Sequence, residues 1–166
     1  MTDLRSNPDF QHDAAPCTGV LLVNLGTPEA PTTKAVRDFL AEFLWDSRVV
    51  DIARPLWWLI LHGVILRIRP AKVAKAYQSI WTDDGSPLLS VSRRLTAALR
   101  QRYDSLDKSR MEIALAMSYG KPAIEHALRN LQEKNMQQLL VLPLYPQYSS
   151  TTTTAVFDEL SQILSC

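Results

Sequence analysis

Apolar residues follow two rhythms along the chain. Gly19 to Asn24 (GVLLVN) is a continuous apolar run, which predicts a buried strand of the parallel type. After the loop LGTPEAPTT, Val36, Phe39, Leu40, Phe43 and Leu44 recur at the spacing of one helix face. Residues 55–67 predict a second helix with Pro55 in its first turn, and Pro70 is expected to open another, with Val73, Ala74 and Tyr77 on one face. Leu88, Val91, Leu95 and Leu99 predict a helix over 87–103. Met111 to Met117 reads as a strand, Ile124, Ala127, Leu128 and Leu131 as a helix, and Leu139 to Leu144 as a strand. Pro143 must lie near the end of that strand, because proline donates no ladder hydrogen bond. Val156, Phe157, Leu160, Ile163 and Leu164 predict a final helix. Strands alternating with helices imply an α/β fold, a parallel sheet flanked by helices.

Punctuation between these segments repeats. Gly26-Thr27-Pro28, Gly85-Ser86-Pro87 and Gly120-Lys121-Pro122 share the form Gly-x-Pro, and a helix is expected directly after the last two. Glycine permits the turn, the middle residue can cap and proline suits the first helical turn. Two of these joints follow predicted strands, where ligands of open α/β sheets bind. Good capping chemistry explains them equally without a ligand. A fourth joint, Tyr145-Pro146-Gln147-Tyr148 followed by six consecutive hydroxyl residues, precedes the last helix. It reads either as N-capping or as an anion site at a helix start.

Composition narrows the function classes. A chain of 166 residues suits one domain with its own core, expected over 18–166 after a disordered polar tail at 1–17. The net charge of +1 offers no field for nucleic acid. Cys17 and Cys166 form no CxxC pair, which excludes a disulfide framework or zinc knuckle and fits a reducing cytosol. The polar tail has no apolar run of signal-peptide length and is not expected to act as a leader peptide, and the longest apolar run, Leu56 to Leu66, is eleven residues where a membrane span needs roughly 20.

Charge is nonetheless uneven. Between Arg48 and Lys75 there are six basic residues and one acid, and all four tryptophans lie between 45 and 81. Basic residues flanking an aromatic, apolar helix suit anionic lipid or an apolar acidic ligand. The alternative is a buried helix whose ends carry solvated charges. His12, His62 and His126 are isolated from other ligating residues, so no metal site and no nucleophile–base pair is read from the chain.

The ordered set LVNLGTPE (22–29), Arg69-Pro70-x-Lys72 leading to Tyr77, Gly85-Ser86-Pro87-Leu88, Ser118-Tyr119-Gly120 and Tyr145-Pro146-Gln147-Tyr148-Ser149 closely resembles the amino-terminal half of bacterial ferrochelatase. The resemblance covers residues 18–165. It implies a Rossmann-like, chelatase-type sheet, one of two similar domains enclosing a porphyrin cleft. It implies a lyase of haem biosynthesis that inserts Fe²⁺, as substrate and not as a resident cofactor, into protoporphyrin IX. Arg69, Lys72 and Ser86 match positions that contact the propionates, Leu25 one that faces the macrocycle, and Tyr119 a tyrosine beside the metal-access face with a tentative catalytic part. Ser118, grouped with the substrate-binding set, stands where many members carry arginine, so a cation-dependent role there is not transferred. The 55–66 region matches the lip of the cleft, where peripheral contact with the inner face of the membrane is expected of a cytoplasmic protein. This lip favours the protoporphyrin enzyme over a coproporphyrin chelatase.

The family's proton-accepting histidine and its partner glutamate belong to the second half. The chain is therefore expected to carry one cleft wall, to have little activity alone, and to expose apolar surface that the missing half would cover. The rival readings are a non-catalytic porphyrin- or haem-binding module at a membrane surface and a flavodoxin-like cofactor domain. The missing glycine-rich phosphate loop counts against the latter.

Overall fold

Both faces of the first strand are apolar, and both are covered. The computed structural model describes residues 17–104 and 110–165. The tail expected over 1–17, with His12, lies outside the described residues except for Cys17, which is buried and opens strand β1; Cys166 also lies outside them. The elements run β1 (Cys17–Thr27), α1 (Thr33–Trp45), α2 (Arg54–Ile60), α3 (Leu66–Ile80), α4 (Pro87–Asp104), β2 (Arg110–Gly120), α5 (Ile124–Glu133), β3 (Met136–Pro143) and α6 (Ala155–Ser165). The sheet is parallel with β1 central, in the order β2-β1-β3, an α/β Rossmann-like arrangement. Pro143 is the last residue of β3 and pairs with Val23, so its missing N–H costs the sheet nothing; the ladder continues as Leu144 N–H donates to the Val23 carbonyl at 2.7 Å.

The chain divides into two compact units. The first holds the residues up to Leu25, Ser92–Ser118 and Pro122 onward; the second holds Gly26–Val91 and Tyr119–Lys121. In the first unit, Leu21 and Val23 of β1 with Ala114 and Ala116 of β2 meet Ile124, Leu128 and Leu131 of α5 and Val156 and Leu160 of α6. Each large apolar side chain buried there contributes about 2 kcal/mol of transfer free energy. On the other sheet face Val20, Leu22 and Ile113 cluster with Leu99 of α4. That cover stops short of β3: Leu140 and Leu142, in register with Val20 and Leu22, remain 49% and 41% exposed.

The second unit corrects one sequence expectation and decides between two readings of another segment. Pro70 does not open a helix. A π-helical turn at Leu61–Ile65 joins α2 to α3, and Pro70 lies buried inside α3. Proline inside a helix leaves the carbonyl four residues earlier without its donor. Here that carbonyl belongs to Leu66, and Arg37 of α1 supplies the donor, Nε to oxygen at 3.0 Å. The interior proline is tolerated because a side chain 29 positions away replaces the lost bond. The apolar stretch is also not a buried helix. Trp57, Leu61 and Leu66 are buried, with Trp57 Nε1 donating to the Leu44 carbonyl at 2.8 Å, but Leu56, Trp58, Leu59, Val64 and Ile68 are each more than half exposed. The joint at 120–122 differs in a smaller way: α5 begins at Ile124, and Pro122 instead accepts a bond from Met117 N–H at 2.7 Å.

Candidate functional site

In the second unit Tyr119 is the best-held of the expected residues. It is 6% exposed, and its hydroxyl donates to Asp46 Oδ2 at 2.8 Å. Phe43 meets its ring edge-on at 5.1 Å between centroids, and Phe43 in turn stacks on Phe39. Asp46 ends α1 and accepts at the other oxygen from Arg48 N–H at 2.8 Å. One turn earlier, Glu42 accepts from Gly120 N–H at 3.0 Å. Two acids four residues apart on α1 thus grip the Tyr119-Gly120 corner from one helix face. Glu42 and Asp46 did not emerge from sequence reasoning; their i, i+4 spacing beside the apolar stripe was the available signal. Lys121, the next residue, pairs with Glu29 at 2.7 Å, and the hydrogen bond to that carboxylate, with its charge, raises the lysine pKa.

Arg69 and Lys72 both lie on α3, both exposed, at i and i+3 and hence on one face. They follow directly on the exposed apolar stretch that ends at Ile68. Ser86 is only 2% exposed, and its Oγ accepts from Leu89 N–H at 3.3 Å, so it caps the start of α4. Within the exposed apolar stretch, Trp58 and His62 lie ring against ring at 5.2 Å.

The first unit holds the other two expected residues. Leu25 is half-buried at the end of its part of β1; its N–H donates to Asn24 Oδ1 at 2.8 Å, and Asn24 Nδ2 donates to Ser92 Oγ at 3.1 Å. Asn24, unassigned from sequence, fixes the backbone on which Leu25 is carried. Ser118 is 9% exposed and shares a 3.2 Å hydrogen bond with the Tyr145 hydroxyl. The hydroxyl-rich joint largely bonds to itself: Ser149 to Thr152 at 2.6 Å and Tyr148 to Thr154 at 2.8 Å, around a π-helical turn at Ser150–Thr154. The Ser149 side chain makes no cap hydrogen bond to the turn that follows it, so these bonds do not show the N-capping that the sequence allowed.

Burial raises the Tyr145 phenol above the usual tyrosine pKa; the Ser118 bond opposes this and the Glu159 charge adds to it. A phenol whose folded pKa is raised favours the folded state below the unfolded value of about 10, and that contribution is lost as pH rises through the folded value. Alkaline unfolding followed by circular dichroism should therefore begin later in Tyr145→Phe than in the parent chain. Coincident alkaline limbs would remove Tyr145 as a source of the effect.

Among the described residues, no group of three or more His, Cys, Asp and Glu could hold a metal ion, and no helix is long and apolar enough to cross a membrane. A family model for ferrochelatase matches residues 17–165. The chain is similar to the ferrochelatase of Nitrosococcus oceani, 58% identical over 95% of this chain and 42% of that protein. It is similar also to those of Marinobacter nauticus (51% identical, over 93% of this chain and 42% of the relative) and of an Enterobacter species (54%, over 89% and 45%). The chain thus spans under half the length of the curated relatives it matches.

Proposed function

The chain belongs to the ferrochelatase family, and from that premise we propose that it supplies one wall of a porphyrin cleft in haem biosynthesis. The reaction is insertion of Fe²⁺ into protoporphyrin IX, which yields protohaem and releases two protons. The observation that carries this reading is the placement of Arg69 and Lys72. They stand exposed on one face of α3, at the end of an exposed apolar stretch. A flat apolar macrocycle with carboxylate tails needs that pairing of surfaces: cations bind carboxylates by charge-assisted hydrogen bonds, and apolar side chains take the ring.

Within that reading each residue has a limited task. Arg69 and Lys72 anchor propionates, while Leu25 packs on the macrocycle. Ser86, spent as a cap, sets the start of α4 close to the propionate end. Tyr119, tied to Asp46 and braced by Phe43, presents a fixed edge beside the incoming iron, and Ser118 fixes Tyr145. The proton acceptor and the metal-binding group come from the part of the family protein that this chain does not match. The exposed side chains from Leu56 to Ile68 rest against the inner face of the membrane, flanked by Arg54 and Arg67, which suit anionic headgroups.

The test uses the purified chain with protoporphyrin IX and Fe²⁺ under anaerobic conditions. Saturable porphyrin binding with turnover far below that of a two-domain ferrochelatase is expected. Turnover equal to the two-domain enzyme would overturn the one-wall reading. No porphyrin affinity, together with bound flavin, would overturn the family function for this chain.

A further inference from the structure

A cleft of about 400 Å³ lies in the first unit between α4, β2 and α5. None of its residues belongs to the porphyrin set. Its floor is apolar, with Ala114 of β2 packed beside Ala127 and Leu131 of α5 and Ile113 lining the strand edge. Its walls are basic. Arg93 and Arg100 lie at i and i+7 on α4, and His126 and Lys134 lie at i and i+8 along and just beyond α5. Helical periodicity brings each pair to one side of its helix. Glu112 is the only acid among the described residues that line the cleft.

Arg93, Arg100 and Lys134 take part in none of the ion pairs Arg48–Asp46, Lys121–Glu29 and Arg129–Glu125. Arg100 is fixed in place, with its Nε and an Nη both donating to the Ile113 carbonyl. Fixing one side of a guanidinium leaves the remaining N–H groups directed and unspent.

The same bonds decide between two kinds of occupant. A peptide could in principle add as a strand to the outer edge of β2. That edge is already blocked: Ile113 C=O is taken by Arg100, and Met117 N–H by the Pro122 carbonyl. A compact molecule fits better, and the volume lies within the range of small-ligand sites, roughly 300–1,000 Å³.

We propose that this cleft binds a small anion with an apolar body, an aromatic or branched aliphatic carboxylate or phosphate ester. The anionic head sits between Arg93, Arg100 and Lys134, and the body rests on Ala114 and Leu131. The probes are phenyl phosphate and benzoate, with benzyl alcohol as their neutral counterpart, titrated into the ¹⁵N-labelled chain. Either anion, or both, should shift the amides of Ala97, Leu115, Asn130 and Lys134 saturably, while the alcohol does not; the stronger of the two identifies the head group. Arg93→Gln with Lys134→Gln should weaken binding roughly tenfold or more, and added KCl should weaken it in the parent chain. The charge-preserving pair Arg93→Lys with Lys134→Arg should bind as the parent does, which separates charge from folding. Absence of shifts with both anions, equal binding of the alcohol, or undiminished binding in the glutamine variant would overturn the proposal.

Discussion

Gly26→Ala is expected to destabilise the chain by about 4 kcal/mol, from a forbidden backbone conformation and a backbone collision together. Gly26 has φ of +112°, which residues with a Cβ rarely adopt. A Cβ built there would lie 1.8 Å from the Tyr119 carbonyl oxygen and 2.8 Å from its carbonyl carbon. Those atoms have little freedom to retreat. The Tyr119 side chain is held by Asp46 and Phe43, and Gly120 N–H is held by Glu42. Two other glycines separate the causes. Gly85 also has a positive φ, +96°, but open space where a Cβ would go, so Gly85→Ala should show the conformational part alone, about 1–2 kcal/mol. Gly63 has neither problem, and Gly63→Ala in the π-helical turn should fall within about 1 kcal/mol of the parent. Urea unfolding of the three variants measures this order. A Gly26→Ala midpoint matching that of Gly63→Ala would show that the Tyr119 corner yields easily and does not hold the site.

Arg69→Ala with Lys72→Ala should weaken protoporphyrin binding by at least about a hundredfold, since each lost charge-assisted bond is worth roughly 1.5–3 kcal/mol. Both side chains are exposed, so their loss should leave the unfolding midpoint unchanged. Arg67→Ala is the control: it removes a cation from the same helix, but two positions from Arg69 and thus on another face. A general basic field would respond equally to both changes and would fade with salt. An anchored propionate responds to the first alone. Fluorescence titration of protoporphyrin at fixed ionic strength distinguishes these outcomes, and an unchanged affinity in the double variant would remove Arg69 and Lys72 from the site.

Local pattern was legible wherever one rule governed a segment. The run GVLLVN reads as a central strand because both faces of β1 are covered, so no polar residue interrupts it. The stripe Val36-Phe39-Leu40-Leu44 reads as a helix because all four side chains are buried on one side of α1. The Gly-x-Pro joints marked turns, and their glycines, Gly26, Gly85 and Gly120, take the positive φ that such turns allow. Pattern failed at Pro70, where the local rule for proline is sound but its penalty is met by Arg37, a residue no window around Pro70 contains. It was also undecided on the 55–67 stretch, since an apolar run does not say whether other elements lie over it.

The sequence by itself therefore determined the order and type of elements, the turn positions, the uneven charge and the family motifs. Each depends on neighbours within about one helical turn or a few strand residues. Only the tertiary structure decided which apolar residues between Leu56 and Ile68 stay exposed, that Asp46 and Glu42 clamp the Tyr119 corner, and that Arg93, Arg100 and Lys134 gather around an apolar floor at the outer edge of β2. Those outcomes depend on side chains distant in sequence meeting in space, and periodicity carries no record of distance across the fold.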